Sequence, residues 1–196
     1  MSKRLYVAYG SNLNIEQMKH RCPTARLYGI GVIEDYELQF KGYPTGAYAT
    51  IEPKEGSTVP VAVWEIQPKD EIALDRYEGY PSHYFKQDVP VKMDKGEVNA
   101  MVYIMNLKMD FGLPSSHYYR VVHEGYNDCG LNTDILLKAV TDSAERFYSS
   151  AVQPFQQQDM FEGEDEYDEE EEMEDDENEE KQFAEDDAFG FGGIQM

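Results

Sequence analysis

The chain has 196 residues, a formal net charge of −22 and a pI near 4.4, but 19 of its 39 acidic residues and only one of its 17 basic residues follow residue 150. The first 150 residues are therefore nearly balanced and carry no basic stripe, which argues against direct nucleic-acid binding. No apolar run approaches the roughly 20 residues of a membrane span, residues 5–9 are too short for a signal h-region, and the two distant cysteines, Cys22 and Cys129, lack metal-ligand spacing. A soluble, reduced, cytoplasmic protein is the expectation.

In chain order, residues 5–9 (Leu-Tyr-Val-Ala-Tyr) are rich in β-formers and predict a buried strand. It stops at Gly10-Ser11-Asn12, a set that favours a tight turn. Asn14 is a good N-cap, Gln17 holds the capping-box position, and Pro23 ends the helix between them. Strand, turn and helix start would gather unpaired backbone N–H donors suited to a carboxylate, phosphate or developing oxyanion. An ordinary glycine-containing connection has the same local pattern.

Residues 27–33 and 36–40 follow as extended segments, with Gly29 and Gly31 marking a bend or close backbone approach. After a loop at 42–46, residues 47–51 and 59–66 predict two strands joined by a hairpin-like connection at 52–58. Trp64 is assigned to the core. Residues 69–78 switch to helical period, with Asp70 able to cap the start and Gly79 as the stop. Glu78 then sits in the last turn, where the helix dipole disfavours a negative charge.

Residues 83–91 and 98–105 alternate as strands, and Pro90 puts the first at an edge or ends it there. Pro114-Ser115 opens a helix reaching Glu124-Gly125, and Asn132 or Thr133 caps another at 134–148. Strands first and helices after make residues 1–150 an α+β domain, a strongly curved mixed sheet or small β-barrel with packed helices. His20, His83, His117 and His123 show no metal-ligand spacing, and neither cysteine has an evident base beside it, so no metal, cofactor or nucleophilic thiol is expected.

Residues 151–196 change composition abruptly. So acidic a segment cannot bury enough apolar area to fold, and a disordered acidic tail is predicted, with basic protein surfaces as its natural partners. Phe189, Phe191 and Ile194 near the end offer a short docking peptide, a flexible terminus being the plainer reading.

Taken together, Tyr9-Gly-Ser-Asn12 and Leu74-Asp-Arg-Tyr-Glu78-Gly79 make the chain resemble the γ-glutamylcyclotransferase family, which includes amine cyclotransferases and AIG2-like proteins. Ala49-Thr-Ile-Glu-Pro53, Val59-Pro-Val-Ala-Val-Trp64, Tyr84, Ala100-Met-Val-Tyr103, Pro114-Ser-Ser-His-Tyr118 and Gly125-Tyr-Asn-Asp-Cys-Gly-Leu131 follow in the family's order. The likeness covers roughly residues 5–140 and leaves the acidic tail outside.

The resemblance implies a small mixed barrel with a cavity closed by helices, and cofactor-free cyclisation of a γ-glutamyl amide to 5-oxoproline. It implies Glu78 as the catalytic acid/base, the segment from Tyr6 through Tyr9, Gly10, Ser11 and Asn12 as the substrate-binding loop, and Tyr118 as a pocket tyrosine. Apolar walls or the helix C-terminus would raise Glu78 towards neutrality. One departure is Gly46-Ala47 where many members carry two glycines; its methyl is expected to narrow the pocket. A binding module that holds a small ligand, with the acidic tail making the important contact, is the rival from another class.

Overall fold

Tyr6, Val7 and Ala8 of β1 (Arg4–Ala8) are buried at the centre of the fold in the computed structural model, which describes residues 3–151. β1 pairs antiparallel with β3 (Tyr48–Ile66), Tyr6 opposite Trp64, and parallel with β5 (Gly96–Met105), Tyr6 opposite Met101. With β2 (Arg26–Lys41) and β4 (Tyr84–Met93) these strands close a mixed barrel in the order β1-β3-β2-β4-β5. The expected α+β barrel is the observed fold, and Trp64 lies in its core at 4% exposure.

The connection predicted at 52–58 does not reverse the chain. β3 runs straight through it and pairs with β2 as one long antiparallel ribbon. The local turn chemistry goes into a bulge: Glu34 pairs with Thr58 but Tyr36 with Pro53, so the intervening β3 residues loop out opposite Asp35. Asp35 has φ 57° and its carboxylate accepts from the Gly56 N–H at 2.8 Å. Such a bulge bends the ribbon, which lets long strands curve into a barrel. The reversal lies at residues 42–47, tied to the segment 110–113 by Gly42 N–H donating to Asp110 O and Ala47 N–H to Leu113 O.

The expectation for Pro90 needs correction in part. β4 continues past it to Met93 and pairs along its length with β5, Pro90 opposite Asn99. β4 meets β2 through Gly31↔Met93 and Val32↔Lys92, beyond Pro90, so the missing N–H faces a side without a ladder. At that seam a side chain on Gly31 would come within 2.6 Å of Lys92 O, the close approach anticipated for this glycine.

Four helices of the described residues clothe the barrel. α1 (Ile15–Arg21) is capped by Asn14, whose side chain accepts from Gln17 N–H at 3.0 Å, a cap contributing about 1 kcal/mol. α2 (Pro68–Tyr77) is capped by Asp70 from its third position: the carboxylate accepts from Gln67 N–H at 2.9 Å and from Thr24 Oγ1 at 2.6 Å. Buried Leu74 fixes the α2 face on the barrel, contributing about 1.5–3 kcal/mol.

α3 (Ser116–Asp128) passes through Gly125 instead of stopping there. The reason is a close contact: a Cβ on Gly125 would lie 2.5 Å from Asn14 N and 2.7 Å from Leu13 Cβ. α4 (Thr133–Ala151) is held on β2 by Arg146, which forks onto Glu37 at 2.8 and 3.0 Å. The segment predicted to be disordered lies, from residue 152 on, outside the described residues. Among the described residues no helix is long and apolar enough to cross a membrane.

Candidate active site

β1 delivers the chain at Tyr9 into a 3-10 turn, Ser11–Leu13, before α1 begins. The turn expected at Gly10-Ser11-Asn12 is there, but the start of the following helix does not add its donors to it. The N-terminus of α1 points elsewhere: Ile15 N–H donates to Asp128 at 3.0 Å and Asn14 Nδ2 to Glu124 at 3.3 Å. Donors at Gly10, Ser11 and Asn12 therefore belong to the 3-10 turn, whose first N–H groups have no partner within the turn itself. Gly125 of α3 presses on the far side of that turn, fixing it against the barrel mouth.

A cavity of about 400 Å³ opens there. Every site residue named from the sequence lines it: Tyr6, Tyr9, Gly10, Ser11, Asn12, Glu78 and Tyr118. Glu78 is the C-cap of α2, its N–H donating to Leu74 O at 2.8 Å, and Gly79 follows with φ 61° as a left-handed stop. The Glu78 carboxylate accepts from Asn12 Nδ2 at 3.0 Å, and the same amide donates to Tyr6 OH at 2.8 Å. Tyr118 OH accepts from Ala49 N–H at 3.2 Å, leaving its own proton for the cavity. Tyr84 and Tyr9 are committed to the frame, donating to Ala49 O at 3.1 Å and to Tyr103 O at 2.6 Å.

These walls set the electrostatics. Removal from water pushes the Glu78 carboxyl up to about 7, against the opposing pull of the Arg21 charge and the Asn12 bond. Burial likewise holds the hydroxyls of Tyr6, Tyr9, Tyr84, Tyr103 and Tyr118 above the ordinary tyrosine value, so they stay neutral donors and acceptors. The thiols lie outside this lining, and burial raises Cys22 to about 12 and Cys129 to about 11. Neither is a ready nucleophile.

Ala47 does not narrow the cavity. It is buried outside the lining, packed near Gly112, while Tyr43, Tyr48 and Met109 contribute to the wall on that side. Sequence reasoning missed Arg21, and it gave no site role to Tyr77, Tyr103 and Ala49, which lie within the quoted motifs. Arg21 reads as an ordinary basic residue in the last turn of a helix, and Tyr77 as part of the apolar face of α2. His83 lines the cavity, and among the described residues no group of three His, Cys, Asp or Glu is placed to hold a metal.

Comparison with known proteins gives a consistent picture. A family model described as "Gamma-glutamyl cyclotransferase, AIG2-like" matches residues 6–126. The Gamma-glutamylcyclotransferase of Bos taurus is 33% identical over 137 residues, covering 65% of this chain and 72% of the relative. Its Homo sapiens counterpart is 32% identical over 136 residues with the same coverage. A solved structure described as Gamma-glutamyl cyclotransferase superposes with a TM-score of 0.65 at 26% identity, covering 76% of this chain and 99% of its own. YkqA from Bacillus subtilis shares the fold at 18% identity, with a TM-score of 0.63, covering 74% of this chain and 56% of its own.

Proposed function

We propose that this chain, which belongs to the Gamma-glutamyl cyclotransferase, AIG2-like family, is an enzyme that converts a γ-glutamyl amide into 5-oxoproline and a free amine, with Glu78 carrying the proton. One observation supports this reading above the rest: the Glu78 carboxyl, pushed up to about 7, shares a tyrosine-walled cavity with the Gly10-Ser11-Asn12 turn.

In the proposed step the substrate's α-amine attacks its own γ-carbonyl carbon. The ring C–N bond forms, the tetrahedral centre collapses, and the C–N bond to the leaving amine breaks. Glu78 takes the proton lost by the attacking nitrogen and returns one to the leaving nitrogen, so it ends as it began. A carboxyl titrating near neutrality suits both halves of that transfer. Nucleophile and electrophile are already one molecule, so the protein supplies orientation, contributing several kcal/mol. The N–H groups of the 3-10 turn suit the substrate carboxylate or the developing oxyanion, and the Tyr118 hydroxyl adds a donor.

The test is release of 5-oxoproline from a panel of γ-glutamyl amino acids, γ-glutamyl amines and glutathione. Turnover of at least one compound, lost in a folded Glu78→Gln protein, is expected. A wild-type protein inactive on the whole panel would move the assignment to a small-ligand binding module. We place the boundary of the cyclotransferase domain near residue 150, with the acidic remainder as an appendage for a basic protein partner. Binding that weakens steeply with salt is expected of that appendage.

A further inference from the structure

α1 ends on Arg21, and its guanidinium reaches side chains of three elements. Nη1 donates to Asn12 Oδ1 at 2.7 Å and to Ser11 Oγ at 3.3 Å. Nη2 donates to Tyr77 OH at 2.7 Å and to Gln17 Oε1, one turn earlier on α1. The guanidinium carbon also lies 3.7 Å from the centre of the Tyr77 ring.

The Asn12 amide has two ends with opposite needs. Its Nδ2 serves Glu78 Oε1 and Tyr6 OH. A flip of the amide would set its oxygen against the Glu78 carboxylate. Arginine has donors only, so it accepts nothing from Nδ2 and is satisfied by Oδ1 alone. Holding the oxygen end thereby commits the nitrogen end to Glu78. Tyr77, the residue before Glu78, is gripped by the same fork.

We propose that Arg21 is a positioning residue for the cyclisation: through Asn12 and Tyr77 it fixes the Glu78 carboxyl against the substrate turn. The proposal deepens the reading given above and rests on Glu78 as proton carrier. Arg21 touches the reaction only through these neighbours.

The electrostatic surroundings agree. The groups around the carboxyl are Arg21 from α1, Tyr6 and Tyr9 from β1, Tyr84 from β4, Tyr103 from β5 and Tyr118 from α3, with Arg76 and His83 lining the same cavity. The five tyrosines are neutral, and the Arg21 charge opposes the burial that raises Glu78. Loss of that charge must move Glu78 further up. Lysine would keep the charge but not the planar fork that meets Asn12, Ser11 and Tyr77 together.

The experiment compares wild type, Arg21→Met and Arg21→Lys, each checked for fold by circular dichroism. It follows kcat and KM against pH on L-γ-glutamyl-L-alanine and Glu78 titration by carboxyl NMR, assigned with Glu78→Gln. In Arg21→Met the rising limb and the Glu78 midpoint should move together to higher pH, with kcat falling about 10–100-fold and KM changing little. Arg21→Lys should keep the limb near its wild-type position while losing kcat several-fold. A folded Arg21→Met with Glu78 titrating as in wild type overturns the proposal. If the methionine protein does not fold, a folded lysine protein with wild-type kcat overturns it instead. Wild type inactive on this and every γ-glutamyl compound would refute the cyclisation reading, while the NMR midpoint in Arg21→Met still decides whether Arg21 governs Glu78.

Discussion

Replacing Glu78 with glutamine should stabilise the protein at pH 8 and leave it unchanged near pH 4. The sign follows from the direction of the shift. Burial raises the folded carboxyl to about 7, whereas in the unfolded chain it titrates near about 4.3. Between those values the folded state keeps a proton that the unfolded chain has released. The stability contributed by that proton is complete below the unfolded value and is lost as pH rises through about 7. The interval, at about 1.4 kcal/mol per pH unit, gives a ceiling of about 4 kcal/mol. The cavity opens to solvent and Glu78 is only partly buried as a residue, so about 1–3 kcal/mol is the working magnitude. In a domain of this size that is a rise in Tm of roughly 3–9 °C at pH 8. Glutamine keeps a carbonyl for Asn12 and carries no charge to desolvate. Calorimetric melts at pH 4, 6, 7 and 8 give the profile, and 5-oxoproline release on the same samples should fall by about 10²–10⁴. Wild-type kcat/KM should show a rising limb with its midpoint near 7. A Tm difference that is the same at every pH would refute the reasoning, since Glu78 would then titrate as an ordinary surface carboxylate.

Glu37 carries the opposite signature: burial would raise it, but Arg146, Lys54 and Gln39 outweigh that and hold it at about 2. Its contribution is present above the unfolded value and is lost as pH falls through about 2, so Glu37→Gln should lower Tm at pH 6 and matter progressively less towards pH 2 in acid melts. Tyr118→Phe removes the acceptor of the Ala49 N–H and a hydroxyl from the cavity; a loss of about 1–3 kcal/mol in denaturant titrations and slower turnover are expected. Gly125→Ala should destabilise by about 1–3 kcal/mol and depress turnover, because its methyl would push α3 off the 3-10 turn. Unchanged melting and kinetics would show that the contact relaxes freely. Ending the chain after residue 151 should leave Tm and 5-oxoproline release unaltered, since so acidic a segment buries too little apolar area to support the fold.

Local chemistry was enough to place the first strand, the Asn14 cap, the Gly79 stop, the Trp64 core position and the strand pair around residues 84–105, because each rests on neighbours a few residues apart. The awkward charge of Glu78 at the end of α2 was legible for the same reason. Its reach into a water-poor cavity was not, since the walls that raise it come from β1, β4, β5 and α3. Turn-forming residues at 53–58 were misleading on their own: only pairing with Asp35 across the ribbon decides that they bulge instead of reversing the chain. Gly125 looked like a helix stop until the backbone of Leu13 and Asn14 was set against it. The contacts of Arg21 showed no signal, because a guanidinium meeting Asn12 and a tyrosine 56 residues away has no period or spacing in the chain. Short-range propensity writes itself into sequence; which distant side chains share a cavity is settled by the closing of the barrel.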